Sequence, residues 1–72
     1  MTVRVVAPAA TTGLLVKDAS GEVQQVETNQ NVTVIAGPVV VQHGYQGPPV
    51  LVNVSPENKR IVCATIDDCT VK

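Results

Sequence analysis

The feature that most constrains the fold is the run of residues 32–41, two short apolar segments joined by Gly37 and Pro38. Side chains alternate across an extended strand, so both faces of this run are mostly apolar. Proline cannot donate a ladder hydrogen bond and glycine adopts unusual dihedral angles, so the pair predicts a bend or a strand break before residues 39–41. A strand that is apolar on both faces must be covered twice, either by a second sheet of the same chain or by another protein.

Valine dominates the apolar residues, and the chain has no Phe, no Trp and one Tyr. Valine is stiff at χ1 and suits a pleated surface, so the composition favours strands over helices. Turn-forming residues separate apolar runs at intervals of about 8 to 12 residues, which is typical of a small sandwich or barrel. We therefore predict a single all-β domain over residues 1–72 with six or seven short antiparallel strands. At this length we expect marginal stability.

Turn chemistry suggests how the strands connect. The segment 17–22 predicts a hairpin turn, because Asp, Ser and Gly favour tight connections. A second hairpin is predicted with its turn at residues 55–58, where Pro56 suits the second turn position, and with residues 50–54 and 60–66 as its arms. The remaining predictions are a first strand that stops at Pro8, a loop over 9–13, and a break at Asp67-Asp68 before a short last strand or tail.

Charged residues make up 15% of the chain, against about 25% in an average soluble domain. A small valine-rich domain with so few charges is easiest to understand if part of its surface is buried against partners. The formal net charge is −1, and the five basic residues are dispersed along the sequence. We therefore predict no nucleic-acid and no membrane partner. No apolar stretch approaches the roughly 18 residues of a membrane span, and the first residues lack the pattern of a signal peptide, so we expect a soluble chain made inside the cell.

Cys63 and Cys69 are six positions apart. In one continuous strand they would lie about 20 Å apart, too far for a disulfide, and only a reversal at Asp67-Asp68 would bring them together. Since nothing in the sequence indicates secretion, we expect free and mostly buried thiols. A zinc site would need more ligands than these thiols and His43 provide, so we predict no metal site.

The segment 42–49 contains two glycines, two prolines, the single His and the single Tyr. Such a loop on a small β scaffold is the best candidate for an exposed contact element. Tyr45 could anchor an interface or cap the core of its own domain. The predicted protein-binding residues are His43, Tyr45, Gln46, Pro48 and Pro49.

Catalytic chemistry has little support in the sequence. His43 could act as a general base or a pH switch, but no nucleophile or carboxylate stands at a recognisable spacing from it, so a loop histidine that contacts solvent or a neighbour is the simpler interpretation. Asp67-Asp68 fits a solvated turn better than a calcium loop, which needs more oxygen ligands in a regular order. We predict no enzyme activity, no catalytic, cofactor-binding or metal-binding residue, no cofactor and no small-molecule substrate.

The leading hypothesis is a non-catalytic structural or interaction protein that acts as a subunit of a larger assembly, through self-association or on a capsid lattice. Its most concrete form is a bacteriophage virion accessory protein that decorates or cements the capsid, made in the host cytoplasm and located in the virion. The alternative is a monomeric adaptor or inhibitor, otherwise cytoplasmic, that binds one protein target through residues 42–49. A third possibility, an enzyme or covalent carrier domain, would require chemistry at Lys17 or at the cysteines.

Overall fold

The computed structural model describes residues 1–7 and 13–72, and all regular structure in this part of the chain is β. The strands are β1 Thr2–Val6, β2 Leu14–Lys17, β3 Val23–Val26, β4 Gln30–Thr33, β5 Gly37–His43, β6 Pro49–Val54, β7 Arg60–Thr65 and β8 Asp68–Val71. The all-β prediction is confirmed. The strand number of six or seven is wrong for the described residues, because the run 32–41 divides between two strands and the last segment is a true strand. The predicted stop at Pro8 and most of the predicted loop 9–13 lie outside the described residues.

The strands form two four-stranded sheets. Sheet A has the order β4-β1-β7-β8, and sheet B has the order β3-β2-β5-β6. Alternate residues of both sheets face one common hydrophobic core, in which every buried side chain of the described residues is apolar. The core consists of Val3, Val5, Leu14, Val16, Val26, Val32, Val34, Val39, Val41, Val52, Val54, Ile61 and Cys63. Because branched aliphatic side chains fill this interior, the fold does not need a large aromatic residue.

The run 32–41 carries the chain from sheet A to sheet B. Val32 and Val34 are buried on the sheet A side, while Ile35 is 48% exposed where the chain crosses over. The predicted break is confirmed, since β5 begins at Gly37, whose φ of +125° strains any L side chain. The Asp18 carboxylate accepts a hydrogen bond from the Ile35 backbone N–H at 3.0 Å and so ties the crossover to the turn after β2.

Two predicted turns are confirmed. β2 and β3 pair as an antiparallel hairpin, and the Gly21 N–H donates to the Asp18 carbonyl at 3.0 Å. In the turn at residues 55–58, the Asn58 N–H donates to the Ser55 carbonyl at 3.0 Å, and the Asn58 side-chain oxygen accepts from the Ser55 N–H at 2.7 Å. The Asp18 carboxylate also accepts from the Ser20 N–H at 3.0 Å, so an Asp and an Asn side chain stabilise the two turns.

The predicted pairing of residues 50–54 with 60–66 is wrong. The chain turns at 55–58 but then joins the other sheet, where β7 pairs with β1 and β8. The β1–β7 pair is parallel, so the expectation of antiparallel strands only is also wrong. The Arg4 N–H donates to the Lys59 carbonyl at 3.0 Å, and Ile61 is fully buried with Val3 and Val5. The apolar burial that β7 gains beside β1 is therefore more favourable than a local hairpin of β7 with β6.

The expectation of free thiols is also wrong, because Cys63 and Cys69 form a disulfide. β7 ends at Thr65, the chain reverses, and β8 begins at Asp68, so the two cysteines lie directly opposite each other in the ladder. The Thr65 hydroxyl donates to the Asp67 carboxylate at 2.6 Å inside the turn. This is the reversal near Asp67-Asp68 on which the pairing of the cysteines depended.

Candidate functional site

The loop between β5 and β6 has a backbone fixed by glycines. Gly44 has φ +79°, and its N–H donates to the Gly13 carbonyl at 3.2 Å. A Cβ atom on Gly47 would lie 2.3 Å from the carbonyl oxygen of His43, so only glycine fits there without a backbone shift. Between them Tyr45 is 83% exposed, which favours a contact role over capping of its own core. The loop therefore presents an aromatic side chain on a defined backbone.

His43 differs from the other predicted contact residues. Gln46, Pro48 and Pro49 are exposed like Tyr45, whereas His43 follows Val39 and Val41 on the core side of β5 and is half-buried. Both of its ring nitrogens are buried and have no hydrogen-bond partner among the described residues. Desolvation lowers the pKa of the imidazole below its usual value, so the neutral form is favoured.

The outer face of sheet B is mainly apolar, with Gln25, Gln42 and Asn53 as its neutral polar residues. Its outward positions follow from the alternation with buried neighbours, and Lys17 is the single charged residue among them. Ladder pairs Val23↔Lys17, Lys17↔Val40 and Val40↔Leu51 run across it, and Leu51 is 67% exposed. We call this surface the apolar face, defined by Leu15, Val23, Pro38, Val40, Pro49 and Leu51. An apolar surface of this kind is a usual mark of an interaction site.

The loop and the apolar face are continuous. Gln42 projects outward from β5, because its neighbour Val41 is buried. The Gln42 side-chain amide donates to the Tyr45 carbonyl at 3.0 Å, which draws the loop toward the outer side of sheet B. Gln42 also pairs across the ladder with Pro49 on the same face. The backbone of Tyr45 is therefore held beside the outer side of sheet B.

The outer face of sheet A is polar and carries most of the positive charge. A depression of about 590 Å³ is lined by Arg4, Glu57, Lys59, Arg60 and Lys72. It contains four of the five basic residues of the chain, so the sequence-based description of these residues as dispersed is wrong in three dimensions. Sheet pairing brings together residues that are far apart in the sequence.

Within 1–7 and 13–72, no group of three or more His, Cys, Asp and Glu side chains is placed to hold a metal ion. That part of the chain also has no helix that is long and apolar enough to cross a membrane.

Comparison of the chain with protein-family models, with curated proteins and with solved structures finds no match.

The sequence indicated the loop and an exposed valine face for docking, but it did not show which strands form the apolar face, and it missed the cation-rich face of sheet A. The alternation around Leu51, which lies between the partly buried Val50 and the core residue Val52, was the available signal for an outward apolar residue on β6. No such signal placed Arg4 beside Arg60 and Lys72, because that contact depends on the parallel pairing of β1 with β7.

Proposed function

We propose that this chain is a non-catalytic structural or interaction protein that acts as a subunit of a larger assembly. We take the fold as a two-layer β-sandwich that presents the apolar face, with Tyr45 at its edge, as the contact surface. The observation that carries the proposal is the contrast between this face, which has Lys17 as its one charged residue, and the charged outer face of sheet A. Aromatic and aliphatic side chains that are exposed together are typical of the centre of a protein interface.

The occupant we propose for the apolar face is a second copy of the chain. A two-fold contact places each face against its own copy, so like charges on a face oppose each other. The apolar face has one cation to accommodate, whereas the outer face of sheet A would place Arg4, Arg60 and Lys72 against the same residues of the partner. Charge therefore favours self-association through sheet B. A standard interface buries about 800 Å² per partner, which is about a fifth of the 4266 Å² surface of this chain.

The most concrete setting is the surface of a bacteriophage capsid, where a decorating or cementing subunit would repeat on the lattice. The Cys63–Cys69 disulfide supports this setting over a cytoplasmic one, because disulfides persist on virion surfaces and are rare in the reducing cytosol. In this proposal the protein is made in the host cytoplasm, its thiols pair after release, and its partners are proteins.

A second candidate is a monomeric adaptor or inhibitor that binds one protein target through residues 42–49. The fixed backbone at Gly44 and Gly47 favours it, since a preordered loop loses less conformational entropy on binding. The two candidates differ in the state of the free chain, because the adaptor is a monomer and the assembly subunit associates with itself.

The test is the mass of the purified chain in solution, measured by light scattering over a range of concentrations. We expect a dimer or larger closed oligomer for the native chain and a monomer with unchanged circular dichroism for Leu51→Asp. Ile66→Asp is the matched control, because Ile66 is also exposed, at 51%, but lies in the β7–β8 turn and outside the apolar face.

A native chain that is monomeric at every concentration would overturn self-association and leave the adaptor as the better proposal. Equal loss of association in Leu51→Asp and Ile66→Asp would show that the apolar face is not the interface.

A further inference from the structure

Three cations lie in one row across the outer face of sheet A. Arg4 on β1 is the ladder partner of Arg60 on β7. Arg60 and Lys72 exchange both backbone hydrogen bonds, at 3.1 and 2.9 Å, so they form a directly opposed pair. Such neighbours have Cα atoms about 5 Å apart. Arg4 and Arg60 are exposed next to the buried Val5 and Ile61, so their side chains point away from the core.

This row is electrostatically unfavourable in the free chain. Like charges that are directly opposite each other in a sheet are destabilising. Lys59 adds a fourth cationic side chain to the depression, and Glu57 is the one acidic side chain among its lining residues. Within the described part of the chain, none of the side-chain hydrogen bonds comes from these four cations. The arrangement breaks a rule of sheet stability without a compensating hydrogen bond from these side chains to residues 1–7 or 13–72, which is a usual sign of a functional site.

The charge of the whole molecule is strongly divided. The side chains that line the depression have a net charge of +3, while all the side chains of the chain have −1, so the side chains of the remaining residues together carry −4. The small net charge therefore conceals one positive region, which attracts anions to this face and away from the rest of the surface.

From this geometry we propose that the depression binds an oxyanion of the phosphate or sulfate class that carries two or more negative charges. Two guanidinium groups supply planar pairs of N–H donors, which match such oxygens, and two ammonium groups supply mobile point charges. Tyr45 lies beyond the opposite end of β6, about 20 Å away along the six residues of that strand, so it cannot stack on a base bound here. The ligand is therefore recognised by its charged oxygens, whether it is a small polyphosphate or the backbone of a nucleic acid.

The probe for the test is pyrophosphate, added to ¹⁵N-labelled protein and followed by NMR at constant ionic strength. We expect saturable shifts confined to the amides around Arg4, Lys59, Arg60 and Lys72. Arg60→Gln should weaken the binding about tenfold or more, as expected when charge-assisted hydrogen bonds are lost. Lys17→Gln is the matched control, since it removes the same charge from the other sheet and should leave the affinity unchanged.

A single-stranded oligonucleotide titrated in parallel separates the two sources of phosphate. If it binds the same amides more tightly than pyrophosphate, the ligand is a nucleic-acid backbone, and if it binds more weakly, the ligand is a small polyphosphate. Shifts that do not saturate, or an equal loss of affinity in Lys17→Gln and Arg60→Gln, would overturn the proposal. Equal binding of a Glu-rich peptide of matched charge would overturn the assignment to phosphate or sulfate.

Discussion

The two sheets have the same chemistry on their inner faces and opposite chemistry on their outer faces. Inside, both contribute valines and one larger aliphatic residue with no exposure, Ile61 from sheet A and Leu14 from sheet B. Outside, sheet A carries a row of cations, while sheet B carries aliphatic and proline side chains around Lys17. The fold therefore constrains one side of each sheet strictly, and the other side is free to be specialised for different ligands.

The largest effects are expected where the two sheets are alike. Leu14→Ala and Ile61→Ala should each lower the free energy of unfolding by about 2 to 5 kcal/mol, because each leaves a cavity in the common core. Urea denaturation measures both losses. A loss confined to one of the two variants would show that the sheets do not share one cooperative core.

The next largest loss of stability is expected from removing the disulfide, which distinguishes the two sheets because it lies in sheet A. Removing the short link with Cys63→Ala and Cys69→Ala together should lower the free energy of unfolding by about 2 kcal/mol, because the unfolded chain gains conformational freedom. A reductant should destabilise the native chain similarly and leave the double variant unchanged. Identical unfolding of the native chain with and without reductant would show that the thiols are not paired in solution.

A smaller effect should come from His43, the titratable group on the inner side of sheet B. Its pKa is lowered in the folded state by desolvation, so the unfolded chain binds a proton first as the pH falls. The contribution of neutral His43 to the free energy of unfolding should be complete above the pKa of the unfolded chain, about 6.5. It should decrease as the pH falls from there through the folded pKa. Urea denaturation at a series of pH values from 8 to 5 measures this decrease, and His43→Leu is the control in which the decrease should be absent. A rise in stability on acidification would contradict the expected sign.

The smallest change in stability is expected from a substitution on the outer face of sheet A. Arg60→Gln should raise the free energy of unfolding by about 0.2 to 1 kcal/mol, because it relieves repulsion from Arg4 and Lys72. Lys17→Gln, whose ladder neighbours Val23 and Val40 are uncharged, should change it little. A loss of stability in Arg60→Gln would mean that the cation row is held by favourable contacts in the free chain.

The sequence predicted what depends on local chemistry. The valine content predicted an all-β chain, Gly37 with Pro38 predicted the strand break, and the polar segment at 17–22 predicted the first hairpin. The segment 42–49 was predicted on the same basis to be an exposed contact element. Of the residues named as contacts, Tyr45, Gln46, Pro48 and Pro49 are exposed, whereas His43 is half-buried.

What the sequence did not predict depends on long-range pairing. The turn at 55–58 is compatible with a local hairpin, and only burial beside β1 directs β7 into the other sheet. Arg4 and Arg60 are neighbours only because of that pairing. The disulfide was missed for a related reason, since the exact position of the reversal between Cys63 and Cys69 decides whether the two face each other.

The parallel pairing of β1 with β7 also has a kinetic consequence. Arg4 and Arg60 are 56 positions apart, while all four strands of sheet B lie within residues 14–54. During synthesis, sheet B can form before β7 has left the ribosome, and β1 must wait with one edge unpaired until nearly the whole chain has emerged. Closing such a long loop is slow, so we expect folding on the millisecond to second timescale of non-local β topologies. The last event in folding is then the one that assembles the cation row.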